Sequence, residues 1–504
     1  MSVHRIMGLE SEFGISQPGR PEANPMRDSA RVVHAYAAPL GLRSGQSFWD
    51  YSTESPLADA RGFLMSRHSA DLSQLTHLPE LQPDAEYLAN VVLPNGARYY
   101  VDHAHPEYSA PETTSPREAL RYDRAGDQIA AASVRALAGT AEPVNLYKNN
   151  TDGKGASYGT HENYLVPREV DFEALIAGLT PFFVTRQIYT GAGRVGLGQG
   201  SEEPGFQLSS RADFFEAEVG LETTLRRPII NTRDEPHAIP EEHRRLHVII
   251  GDANLAETAG LLKLGATSLV LGLIEHGRAP ELALADPLGS LRAVSRDLDF
   301  TALLPLAGGG AMTAIAIQRE YLRAAEEWCR DTGAEDPDTV EVLQEWARVL
   351  HALETDPVSL ADSLDWAAKY QLLSRYRERE GLSWDAPKLA LIDVQYADVR
   401  PERGLFHRLE SSGAIRRLTD PAAVDRAMAL PPEDTRAWLR GTVAGRFSQD
   451  LVSASWDSLV FQFEGEDRLH RLPMLRPERG TRALVGDIVE ASADARELLR
   501  RLTG

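Results

Sequence analysis

The fourteen residues from Tyr99 to Glu112 carry three carboxylates, two histidines and three tyrosines. In order they read Tyr99-Tyr100-Val101-Asp102-His103-Ala104-His105-Pro106-Glu107-Tyr108-Ser109-Ala110-Pro111-Glu112. Acids and imidazoles at this density suit a hard cation, a general base or a carboxylate nucleophile. Local turn chemistry, with Asp102 and Pro106 stabilising a bend, is the plain alternative. Glu10 and Glu12 add two carboxylates two residues apart. On a strand they share one face, where like charges repel and a cation such as Mg²⁺ relieves them; an exposed polar face is the other reading. His161 and Asn163 are also two apart, and in Leu246-His247-Val248-Ile249-Ile250 the histidine stands opposite an apolar face. For both histidines the plain alternative is a hydrogen-bonded structural role.

Such residues need strands to aim them. The turn Pro94-Asn95-Gly96 precedes an aromatic, β-branched run, Ala97 to Val101. Pro106 and Pro111 each lack a backbone donor, so the reading after this strand is a stiff loop presenting Asp102, His105 and Glu107. Alternation predicts further strands over 5–15, 143–149, 158–165 and 245–252, and helical periods over 253–274, 311–331, 338–354 and 359–380. Segment 41–83 has few periodic signals and reads as a mobile functional insertion. Asp420-Pro421 and Leu430-Pro431-Pro432 suggest a boundary. The expectation is one large domain over 1–430 and a small one over 431–504, the latter with a helix at 434–446, a strand at 456–464 and a helix at 491–502.

Composition narrows the class. The 504 residues are 42% hydrophobic with a net charge of −21, which argues against bulk nucleic-acid binding. A single cysteine, Cys329, excludes an intramolecular disulfide, and its helical setting reads as an inert thiol. The start has no apolar core of signal-peptide length, so the expected location is the cytoplasm. The uncharged run from Phe300 to Gln318 contains Pro305 and Gly308-Gly309-Gly310, which fit a strand, a turn and a helix start better than a membrane span. Asn149-Asn150-Thr151-Asp152-Gly153-Lys154-Gly155 is only loosely like a phosphate-cradling loop, lacking the P-loop spacing. Arg226, Arg227 and Arg233 can bind an anion or simply be solvated, and Trp456 is either core or a platform for a base.

The motifs taken together and in order resemble one family: Met7-Gly8-Leu9-Glu10-Ser11-Glu12-Phe13-Gly14, Asn95 to Asp102, His105-Pro106-Glu107-Tyr108-Ser109, Gly159 to Asn163, Arg245 to Asn254, Leu391 to Tyr396 and Trp456-Asp457-Ser458. These are similar to the actinobacterial enzymes of pupylation, whose large domain is glutamine-synthetase-like. The resemblance implies an α+β fold in which a curved, mostly antiparallel sheet cradles ATP and Mg²⁺, followed by a small C-terminal α/β domain. One branch of the family ligates the prokaryotic ubiquitin-like protein Pup to lysines; the other cleaves that isopeptide and deamidates the terminal glutamine of Pup. The insertion with Trp49-Asp50-Tyr51 and the short His103-Ala104 spacer resemble the second branch. Two departures are mild: Ser11 where Thr is frequent, and Ala307-Gly308-Gly309-Gly310 where a more polar turn is expected.

By that resemblance Asp102 is the catalytic residue, either as nucleophile or as general base. Glu10, Tyr100 and Glu107 would bind Mg²⁺, with His161 and His247 near a second ion. Arg98, Ser109 and Asn163 would contact ATP, which is not consumed stoichiometrically, and Trp456 would contact its base. Arg226, Arg227 and Arg233 are the candidates for binding acidic Pup. The implied partners are Pup and pupylated proteins, with no nucleic acid and no membrane; a monomer is compatible. The rival readings are a Pup ligase, a small-molecule carboxylate–amine ligase, and an inactive ATP-dependent Pup-binding adaptor.

Overall fold

The structure is a computed structural model that describes residues 2–42, 49–68, 70, 89–333 and 336–503. Its central sheet holds six strands: β1 (Met7–Glu12), β2 (Asn90–Val92), β3 (Arg98–Asp102), β4 (His105–Ser109), β5 (Thr160–Pro167) and β6 (His243–Val248). They lie in the order β6-β5-β1-β4-β3-β2, every neighbouring pair antiparallel. The α+β expectation with an antiparallel main sheet holds.

Period-two alternation divides each strand between two faces. Met7, Leu9, Tyr99, Tyr108, Tyr164, Val166, Leu246 and Val248 are all buried in the apolar clusters behind the sheet. Behind it pack α1 (Pro25–Ala37), α2 (Pro116–Leu137), α3 (Phe172–Thr190) and α4 (Glu257–Glu275). Helix α2 starts where its sequence says it should: Ser115 accepts from the Glu118 amide at 3.2 Å and Pro116 occupies the first turn. Glu162 falls on the buried face, where Arg186 grips it with donors at 2.9 and 2.5 Å and the Tyr164 hydroxyl donates at 2.7 Å. Helix α4 is long and apolar enough to cross a membrane by length and composition, and its apolar window is wholly buried within the fold.

The stiff loop expected after Asp102 is instead a strand. β3 and β4 form a hairpin whose two-residue tip is His103-Ala104, with Asp102 opposite His105 and Tyr100 opposite Glu107. Pro106 is tolerated because it lies near the start of β4, before that strand's ladder with β1 begins at Glu12↔Glu107. The first expected strand is interrupted at Phe13, and Gly14–Ser16 pairs elsewhere, with Asn145–Tyr147. The expected 359–380 helix opens as a 3₁₀ turn over Pro357–Asp362 before Asp365–Glu380. In the 300–318 run Leu304–Pro305 pairs with Ala311–Met312, and a helix begins at Ala314. Cys329 is buried in that helix.

The C-terminal residues build α5 (Ala437–Arg446) and the antiparallel strands β7 (Leu451–Ala454), β8 (Ser458–Gln462) and β9 (Leu469–Pro473). Their apolar cluster also takes in Trp49 and Val92. α5 lies backbone to backbone on the Pro94-Asn95-Gly96 turn. A Cβ on Gly441 would stand 2.4 Å from the Pro94 carbonyl oxygen, and Gly96 needs its φ of 83° to turn there. Of segment 41–83, residues 43–48, 69 and 71–83 lie outside the described residues. Within the rest, Asp50 donates its amide to the Ala454 carbonyl at 2.8 Å and Ala58–Asp59 pairs with Phe63–Leu64.

Candidate active site

The sheet face turned away from the helices carries the chemistry. Directly opposed residues share a face, and the register opposes Glu10 to His161 and Ser109, Glu12 to Glu107, Arg98 to Ser109, and His247 to Asn163. Five strands thereby deliver side chains that are far apart in sequence to one surface.

Two clusters of metal-binding type form there among the described residues. In one, donor atoms of Glu10, His161 and His247 all lie within 4.8 Å of one another; in the other, those of Glu12, Asp102 and Glu107 do. Of the expected set Glu10, Tyr100 and Glu107, the two carboxylates fall in different clusters and Tyr100 stands opposite Glu107. Glu10 joins the two histidines, and Glu12, left outside the expected ligand set, joins Asp102 and Glu107. This matches the spacing argument, by which Glu10 and Glu12 share a face and call for a cation.

Each cluster is held from behind. His161 Nδ1 is 3.2 Å from Glu10 Oε2, and the Asn163 amide donates to Glu10 Oε1 at 2.8 Å. Asn163 Oδ1 accepts from Arg245 at 2.6 Å and lies 3.0 Å from His247 Nδ1. Arg245 Nη1 also lies 3.1 Å from His247 Nδ1, so both neighbours hold the ring at that nitrogen. Burial, with Arg245 beside it, pushes His247 far below its usual pKa, so the ring is neutral as a metal ligand must be. Burial alone would raise Glu10, but the His161 hydrogen bond and nearby positive charge outweigh it and keep the carboxyl ionised. In the second cluster the Gly159 amide donates to Glu12 Oε1 at 2.7 Å. Burial and then the charges of Asp102, Glu10 and Glu12 push Glu107 well above the usual carboxylate range. A cation would remove that penalty, and oxygen donors on this scale fit a hard divalent ion. Tyr100 stands opposite Glu107, its hydroxyl pushed far up by burial and by that carboxylate.

Asp102 ends β3 at the rim of the second cluster. Its Oδ2 lies 2.9 Å from His103 Nδ1. Burial would raise it, yet the His103 charge and hydrogen bond hold it well below the ordinary range, and Asp102 in turn lifts His103 to about 9. Asp102 is therefore a carboxylate at neutral pH.

A cleft adjoins Glu10, lined by Ser109, Asn163, Arg245, His237, Arg436 and Trp456 among others. Three of the four expected nucleotide residues, Ser109, Asn163 and Trp456, meet in it. Arg98 lies outside this lining. Its guanidinium is 3.9 Å from the Trp49 ring centre and 3.7 Å from that of Tyr100, and it donates to Asn90 Oδ1 at 3.0 Å. Trp49 in turn donates to Glu54 at 2.7 Å and meets Trp456 edge-on with ring centres 5.3 Å apart. The 49–54 stretch thus closes over Arg98, a contact that no local pattern announces. Arg245, two residues before His247 on the same face, was likewise passed over. Of the three arginines expected to hold an acidic partner, Arg227 donates to the Ser157 and Thr223 carbonyls at 2.6 and 2.9 Å. Arg233 lies 3.7 Å from Glu235, and Arg226 is exposed.

Known proteins resemble the chain along its length. Residues 5–460 match the family model described as Pup-ligase protein. The chain is 52% identical over 505 residues to a Pup deamidase/depupylase of Mycolicibacterium smegmatis, covering 99% of this chain and all of that one. It superposes on the Pup ligase PafA in complex with Pup at a TM-score of 0.77 and 32% identity, over 97% of this chain and 92% of the other. PafA in complex with ADP superposes at 0.72 and 36% identity, over 85% and 95% respectively.

Proposed function

The chain belongs to the Pup-ligase protein family, and from that premise we propose that it is a hydrolase of Pup linkages. It deamidates the C-terminal glutamine of Pup to glutamate and cleaves the Pup–lysine isopeptide bond. The observation that carries this reading is the end-to-end likeness to a Pup deamidase/depupylase, joined to an ionised Asp102 beside two cation-binding clusters on one sheet face. The likeness to a solved ligase–Pup complex supports Pup as the partner, and the likeness to a ligase–ADP complex supports a nucleotide site.

ATP and Mg²⁺ fit the residues present. Glu10, His161 and His247, with Glu12 and Glu107, would hold the metal, and the cleft with Ser109, Asn163 and Trp456 would hold the nucleotide. When bound, the ion supplies neutralising charge to the crowded carboxylates. The chain's own residues do the rest. Asn163 and Arg245 orient His247 and Glu10, and Arg98 is kept rigid between Trp49 and Tyr100. Asp102 attacks the side-chain carbonyl carbon of Pup's last residue and the C–N bond breaks as a solvent water gives its proton to the departing nitrogen, which leaves as ammonia or the lysine amine; the hydroxide so formed hydrolyses the mixed anhydride, returning the Asp102 carboxylate and leaving glutamate. Asp102 is ionised, the form in which a carboxylate attacks directly. Arg226, Arg227 and Arg233 stand as candidates for contacting acidic Pup.

Incubation with glutamine-ended Pup and ATP, followed by the mass of the product, tests the function. Conversion to glutamate supports it; no conversion, with conjugation of glutamate-ended Pup instead, refutes it. Asp102→Asn abolishes turnover while nucleotide binding persists, and substantial residual cleavage would remove Asp102 from the centre.

A further inference from the structure

The two-residue tip of the β3–β4 hairpin needs a left-handed backbone at its first position, and the residue there is a histidine. His103 sits in the left-handed region at φ 51°, a place that glycine takes freely and asparagine readily. A side chain there is strained, and such strain persists where surrounding structure over-determines it, often at functional sites. Core packing does not explain the choice, because the His103 side chain is 34% exposed. The histidine at this position makes a contact: Nδ1 lies 2.9 Å from Oδ2 of the adjacent Asp102. The tip is fixed from the other side as well, where Ser29 of α1 donates its hydroxyl to the Ala104 carbonyl at 2.9 Å. With His105 paired to Asp102 across the ladder, the carboxylate sits on a rigid bend, not a fraying end.

We infer that His103 is a positioning residue for Asp102: by engaging Oδ2 it fixes the carboxylate's rotation and leaves the other oxygen to face the substrate carbonyl. The inference rests on the role proposed above for Asp102 and adds a second residue to it.

The test compares His103→Gly and His103→Asn with wild type and Asp102→Asn in deamidation of glutamine-ended Pup, with kcat, KM and the thermal midpoint recorded. Glycine removes the hydrogen bond and relieves the backbone, so the midpoint stays level or rises. The KM for Pup stays within about twofold, while kcat falls about tenfold to a hundredfold, the range for a hydrogen bond to a charged group. Asparagine accepts the same backbone and keeps a donor, so it recovers part of the loss. A His103→Gly enzyme with wild-type kcat, beside an inert Asp102→Asn, overturns the inference alone. A rise in KM at unchanged kcat also overturns it, by making His103 a Pup contact. A wild type without deamidase activity, or an active Asp102→Asn, overturns the underlying reading and this inference with it. Should the glycine variant lose stability, its kcat is taken per folded molecule well below its midpoint and judged by the same criterion.

Discussion

Neutralising Glu112 should loosen the C-terminal unit by about 3 kcal/mol, and two independent routes reach that figure. Glu112, just past β4, accepts from Arg436 Nε at 2.8 Å and Arg440 Nη1 at 3.1 Å, with Arg440 Nη2 on its other oxygen. The Arg436 and Arg440 side chains are 3% and 0% exposed and that of Glu112 is 14%, so solvent screening is slight. Burial alone would raise this carboxyl, but Arg440 and Arg436 outweigh it and bring it from the ordinary 4.5 to about 2. At about 1.4 kcal/mol per unit that is roughly 3 kcal/mol of native-state stabilisation. Removing one partner of a buried ion pair costs about 3–5 kcal/mol, in agreement. A chain of this size need not unfold in one step, so the assay is hydrogen exchange of the α5 amides. Glu112→Gln should speed their opening at pH 7 by about a hundredfold. Because the folded-state pKa is depressed, the contribution is complete above about pH 4.5 and disappears as pH falls towards 2. The gap between variant and wild type should therefore hold from neutral pH to about 5.5 and then close. Opening energies within about 1 kcal/mol of each other at pH 7, or a gap indifferent to acid, would refute the reasoning. Function is at stake too, because Arg436 and Trp456 form one wall of the cleft beside Glu10.

Two further outcomes follow from the same geometry. Trp49→Ala uncovers one face of the Arg98 guanidinium, and losing a desolvated cation–π contact of about 1–2 kcal/mol should weaken ATP binding roughly five- to thirtyfold in a fluorescent-nucleotide displacement assay; unchanged affinity would separate Arg98 from the nucleotide. Glu12→Gln removes a charge from the Glu12–Asp102–Glu107 cluster and should weaken Mg²⁺ binding, measured by calorimetry without nucleotide, by about tenfold or more. An affinity equal to wild type would place the ion solely at Glu10, His161 and His247.

Much of the site was legible because strand geometry is local. Glu10 with Glu12, Tyr100 with Asp102, and His161 with Asn163 are two residues apart, and a period of two puts each pair on one face wherever the strand lies. The strands over 158–165 and 245–252 and the helices over 253–274, 311–331 and 338–354 were visible to within a few residues of their ends. α3 was not. It is buried on nearly all sides and carries Pro181 within it, so it shows neither an amphipathic period nor an uninterrupted run. The hairpin tip at His103 was hidden by Pro106, which reads as a strand breaker until its place near the start of β4 is known.

The pairings between segments were a different matter. Glu12 meets Glu107 because β1 lies beside β4, and Glu10 meets His161 because β5 flanks β1 on the other side. Strand order and register follow from how all the apolar faces are buried together, a property of the whole chain that no window of it contains. The same holds for Glu112 with Arg436 and Arg440, more than three hundred residues apart, and for Trp49 on Arg98. The sequence by itself determined which residue types stand on which face and, through the motifs Gly8 to Glu12 and Asp102 to Glu107, the family. Only the tertiary structure decided which carboxylates come within reach of one cation and which ring covers Arg98, because each depends on long-range packing and not on local spacing.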